Sequence, residues 1–170
     1  MEIPIIDFAR IVQARPEIAR ELATISRTSG WVILTNHSIP DENVQQMMGT
    51  AQALLDMPGR ERWPRSDSLV GYDNSPTRGI DNAFLAGSIG MVFYSANYTE
   101  VDMPNGDWAA LSDPHGNVLV YLGDVIPFWS RGHLQKMQYR VVESRSDQRG
   151  IEKINLAYIS TTSPHEMLLH

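Results

Sequence analysis

The chain has 170 residues, of which 42% are hydrophobic and 20% charged, with a net charge of −6 at pH 7. One domain of that length buries roughly 70% of its unfolded surface, and no apolar run nears the roughly 20 residues that span a bilayer, so no membrane partner is expected. Fourteen Lys and Arg scattered among 20 acids argue against a nucleic-acid partner, and the lack of cysteine excludes disulfides, thiolate catalysis and Cys-ligated metal sites.

The opening, "MEIPIIDFAR", carries an acid at Glu2 and no basic-then-apolar leader pattern, so a cytoplasmic location is expected. Ile3 to Ile6 is a short β-prone run followed by Asp7. Pro16 suits a helical first turn, Ile18, Leu22 and Ile25 recur at spacings of four and three, and Gly30 suits a C-terminal cap, which predicts an amphipathic helix over 16–28. "WVILT" (31–35) reads as a buried strand. A second helix starts near Asp41, carries Val44, Met47, Met48, Ala51, Leu54 and Leu55 along one face, and stops at Pro58-Gly59. Its methionines read as core filling rather than a cofactor site.

From Trp63 to Gly79 the sequence is polar and rich in breakers, as expected of an irregular crossover. Beyond it the spacing predicts short strands at 83–86, 89–94, 98–102, 108–111, 117–122, 138–142 and 154–160. Helices first and strands afterwards predict an α+β chain whose second part is a sandwich or jelly roll.

The order of the segments "IPIIDF", "SGWVILTNHSIPDENVQQMMGTAQALLDMP", "GY", "MPNGDWAALSDPHGNVLVYLGDVIPFWSRGHLQKMQYRVV" and "KINLAYI" resembles the isopenicillin N synthase-like branch of the Fe(II)/2-oxoglutarate-dependent dioxygenases. The resemblance spans roughly residues 1 to 72 and 88 to 160. It implies a single domain, 1–170: a helical N-terminal portion over 1–72, packed on a double-stranded β-helix core over 80–162. It also implies iron held by a His-x-Asp pair and a distant His, with an Arg-x-Ser pair on the cosubstrate carboxylate. Two imidazoles and one carboxylate on one face of Fe(II) leave three positions open for 2-oxoglutarate and dioxygen.

This chain does not supply that set. Two residues after His37, His115, His133 and His165 stand Ile39, Asn117, Gln135 and Met167, and His170 ends the sequence, so there is no His-x-Asp or His-x-Glu. Alignment with the family puts Ala83 and Leu85 at the His-x-Asp positions and Tyr139 at the distal histidine, making all three degenerate metal positions. His133 falls in the turn before that strand. Lys153 and Asn155 stand at the residual cosubstrate positions, where a cation remains without the bidentate fork of arginine. Tyr121 replaces the family's Asn before Gly123-Asp124, and with Tyr139 it is expected to fill the former pocket. Asp124, by turn hydrogen bonding, and Trp129, by burial, are expected to maintain the fold, as is Arg140. His37 matches the histidine of the family's "NHGIP" element and is expected to serve the core or a turn.

Where the family carries several helices and the first core strands, only some fifteen residues link Gly71-Tyr72 to the strand near Ser88. The resemblance therefore implies a partial jelly roll lacking some central strands and helices, with open edges and an uncovered apolar face. The expected function is a catalytically silent subunit that binds no cofactor itself. It would stabilise or modulate a full-length Fe(II)/2-oxoglutarate oxygenase of natural-product biosynthesis, with the iron and cosubstrate held in that partner. A homodimer is the other assembly considered. The expected contact surface is Ile80, Phe84, Leu85, Met91, Phe93 and Tyr94. The alternatives are a metal-free cyclase or isomerase using Tyr121, Tyr139 or Lys153, and an oxygenase with an unrecognised ligand set; a metal site rebuilt from Asp113, His115 and His133 is weighed against a turn role for Asp113, which is favoured.

Overall fold

The computed structural model describes residues 3–56, 58, 89–94, 99–111, 116–141 and 155–160. Their elements run β1 (Ile5–Asp7), α1 (Phe8–Val12), α2 (Pro16–Thr28), β2 (Trp31–Thr35), α3 (Asp41–Leu55), β3 (Ile89–Tyr94), β4 (Thr99–Asp102), β5 (Trp108–Ala110), β6 (Val118–Leu122), α4 (Val125–Trp129), β7 (Tyr139–Val141) and β8 (Asn155–Ser160). The predicted strand at 83–86 lies outside the described residues.

The strands form two sheets, one of five in the order β1-β2-β6-β3-β8 and one of three in the order β5-β4-β7. Only β1 and β2 pair in parallel; every other described pair is antiparallel. The N-terminal portion is thus not purely helical, because β1 and β2 complete the larger sheet. Side chains alternate across each strand. Trp31 and Ile33 of β2, Val92 of β3 and Leu119 and Tyr121 of β6 face the smaller sheet, where they meet Val101, Met103, Leu111 and Met137. The intervening Val32, Leu34 and Val118 face the other way, onto Ile18 of α2, with Leu22 and Ile25 packed alongside. One sheet therefore separates two cores, a sandwich interior and a helix-covered outer face.

Several local features fix this arrangement. Asp7 caps α1 by accepting from the Ala9 amide at 2.8 Å, and its other oxygen accepts from Asn36 Nδ2 at 3.1 Å, tying the ends of β1 and β2 together. Gly30, past the end of α2, has φ +72°, and a Cβ there would stand 2.2 Å from the Gln135 carbonyl oxygen. Only glycine lets the 135–136 backbone pass so close. The indole Nε1–H of Trp31 donates to the Asp102 carbonyl at 3.4 Å, across the gap between the sheets.

Three expectations are corrected. Trp129 is 36% exposed, because α4 is a single short turn on the surface. Asp124 makes no capping hydrogen bond and instead accepts from Lys136 Nζ at 2.6 Å in a half-exposed ion pair. Met47 is exposed while Val44, Met48 and Ala51 are half-buried, so the inward stripe of α3 is narrower than the sequence suggests. Among the described residues no helix is long and apolar enough to cross a membrane.

Candidate functional site

Of the positions the family resemblance marks for metal and cosubstrate, Tyr139 lies at the sandwich interior. On the larger sheet Trp31, Tyr121 and Gly90 form one cross-strand row. On the smaller sheet Ala109, Val101 and Tyr139 form another. Tyr121 and Tyr139 thus approach one cluster from opposite sheets, and Tyr139 packs half-buried against it with its hydroxyl oxygen inside the protein.

Tyr121 is 1% exposed. Burial disfavours its phenolate and pushes its pKa up from 10.0 to about 12. Its ring lies directly on the β3 backbone, for a Cβ added to Gly90 would stand 2.0 Å from Tyr121 Cζ. Trp31 and Gly90 were not singled out from sequence. A glycine inside a strand marks close backbone approach, and that was the available signal.

Neither of the two described histidines joins this interior. His37 lies in the β2–α3 turn, where its Nδ1 accepts from the Ile39 amide at 3.2 Å and its ring meets Phe93 edge-on at 5.6 Å. That interaction places the neutral ring's proton on Nε2, which is buried and makes no hydrogen bond among the described residues. The turn holds Asn36 and Ser38 in left-handed conformations, with φ 51° and 63°. His133 is exposed in the turn after α4, its amide donating to the Ser130 carbonyl at 3.1 Å. Among the described residues no group of three or more His, Asp or Glu is arranged to hold a metal ion.

Arg140 lies on the outward face of the smaller sheet, its Nε donating to Glu100 at 2.6 Å and its guanidinium 4.5 Å from the Trp108 ring centre. Asn155 pairs with Tyr94 at the start of β8. Ala83, Leu85, Asp113, His115, Lys153, His165 and His170 lie outside the described residues, as do Ile80 and Phe84.

The two-sheet architecture is that of the 2-oxoglutarate oxygenase jelly roll. It is similar to a full-length Neurospora crassa protein in complex with alpha-KG, with a TM-score of 0.71 and 16% identity over 94% of this chain and 84% of that one. A putative oxygenase from Shewanella oneidensis gives 0.71 and 12%, over 96% and 91%. The Arabidopsis thaliana dioxygenase for auxin oxidation 1, in its 2-oxoglutarate complex, gives 0.70 and 13%, over 98% of both chains. At these identities the likeness speaks for the fold alone.

The sequence carries the assignment further. Residues 3–108 match the family model described as the N-terminal region of the non-haem dioxygenase in morphine synthesis, and the chain belongs to that family. None of the curated proteins matches it by sequence.

The family's iron implies a ligand set, and the described residues do not fit one. Tyr139 packs against an apolar cluster, His37 and His133 stand apart from it, and no three His, Asp or Glu among the described residues come together.

Proposed function

We propose that the chain is a catalytically silent dioxygenase-fold subunit that binds and stabilises or modulates an active Fe(II)/2-oxoglutarate oxygenase. The observation that carries this reading is the state of the interior. At the family's distal histidine position stands Tyr139, packed with Tyr121, Trp31 and Met137 into an apolar core, in a sequence without His-x-Asp or His-x-Glu. Residues that shape the sandwich persist while the donors are absent, as in a protein retained for its surface. The iron and 2-oxoglutarate then belong to the partner, and the morphine-synthesis description of the family favours a setting in natural-product biosynthesis.

The partial jelly roll inferred from the short connection after Tyr72 leaves apolar surface at β3. There Met91 is 36% exposed and Phe93 half-buried, and Tyr158 beside Met91 on β8 is 66% exposed. We assign the contact surface to the outer face of β3, with Met91 and Phe93, and to the strand's end at Tyr94; Ile80, Phe84 and Leu85, the rest of the expected surface, lie outside the described residues.

Co-expression with full-length dioxygenases from the same source tests this. The expected result is a stable complex whose oxygenase activity falls when this chain is omitted, with stoichiometric iron in the partner and none in this chain alone. Turnover or stoichiometric iron binding by the isolated chain overturns the reading.

A further inference from the structure

We infer that Tyr121 is a steric plug, its ring lying over Gly90 and closing the sandwich interior to any ligand. A side chain on β3 at position 90 would project into the sandwich, on the same row as Trp31 and Tyr121. Gly90 has none, and the Tyr121 ring takes that volume, with Cζ, Oη and Cε1 all within 2.0–2.3 Å of where a Cβ would stand. Across the gap the row is met by Val101, buried completely, with half-buried Tyr139 and Ala109 beside it on their sheet. The two positions are a matched large–small pair, and neither changes alone without overpacking or a void.

Closure by Tyr121 deepens the silent-subunit reading and rests on it for its biological sense. Among the described residues Tyr121 fills the volume over Gly90 and no three His, Asp or Glu come together, so placing a histidine at position 139 alone does not restore a site. The pairing predicts its own chemistry: removing the phenol leaves a cavity of that size over Gly90, within the cluster that holds Trp31, Val101 and Met137.

The test uses the whole chain and p-cresol, the free form of the tyrosine side chain. In Tyr121→Ala, p-cresol is expected to raise Tm saturably and to bind at least roughly tenfold more tightly than to the wild type. Gly90→Ala is expected to lower the wild-type Tm by roughly 3–10 °C, and most of that loss disappears when Gly90→Ala is made in a Tyr121→Leu background. The second pair of variants decides the matter even where Tyr121→Ala fails to fold. A wild type that binds p-cresol as tightly as Tyr121→Ala, or that accepts Gly90→Ala without loss, overturns the plug. The two ideas fail separately, since turnover by the chain alone would remove the silent reading and leave these melting shifts in place, whereas absent shifts would leave partner co-purification untouched.

Discussion

Along one row of the larger sheet's outer face, Val32, Val120, Met91 and Tyr158 stand side by side on β2, β6, β3 and β8. Their chemistry is similarly apolar, yet exposure rises from 7% at Val32 to 36% at Met91 and 66% at Tyr158. The difference is cover. The apolar stripe of α2, Ile18, Leu22 and Ile25, lies over the β1-β2 side of the face, whereas α3 approaches β8 and still leaves Tyr158 largely in solvent. The covered half is buried as a domain core is, and the other half leaves apolar side chains in solvent.

The sharpest way to break this contrast is to empty the sandwich interior that both halves share. Trp31→Ala is expected to cost about 3–5 kcal/mol in urea unfolding, since it removes a large buried ring and its hydrogen bond between the sheets. On the covered half, Ile18→Ala is expected to cost about 2–4 kcal/mol. On the open half, Met91→Ala is expected to cost under about 1 kcal/mol and Tyr158→Ala to fall within about 0.5 kcal/mol of wild type. Equal losses on both halves would erase the distinction.

Titration separates interior from surface in another way. The folded-state pKa of Tyr121 is raised from 10.0 to about 12, so the unfolded chain releases that proton first as pH rises. Its contribution is complete below pH 10 and is lost between pH 10 and about 12, which urea midpoints across that range would register; in Tyr121→Phe the component is expected to vanish. The smallest effect concerns the β2–α3 turn. Ser38 adopts φ 63°, where a Cβ is unfavourable by roughly 1–2 kcal/mol, and Ser38→Gly relieves it at the expense of greater freedom in the unfolded chain. A net gain of about 0.5 kcal/mol is expected, read from the thermal midpoint.

Much of the secondary structure was legible because the periodicities are clean. The helix over 16–28 and the strands over 31–35 and 89–94 have the bounds that spacing predicts, and the other described strands differ by one or two residues at their ends. The misses are short or contradictory locally. The five-residue α1 is too brief for a helical period, and α4 contains Pro127 within an apolar run that reads as loop. Trp129 and Asp124 were misread for one reason, that residue type predicts burial or capping only on average and neighbours decide the individual case. Of the candidate site, Tyr121 and Tyr139 were legible from the family pattern, whereas Trp31 and Gly90 were not, since nothing local in "WVILT" or "SIGMVFY" shows what lies across the strand.

The amino-acid sequence by itself determined the run of helices and strands, the family, and the absence of His-x-Asp, His-x-Glu and cysteine, because periodicity and donor inventory are properties of the chain alone. Tertiary structure alone decided that Trp31, Tyr121, Gly90 and Tyr139 meet in one interior, and which end of the outer face stays exposed. Alternation along a strand says which side chains share a face. Register and packing between elements far apart in sequence decide what that face touches.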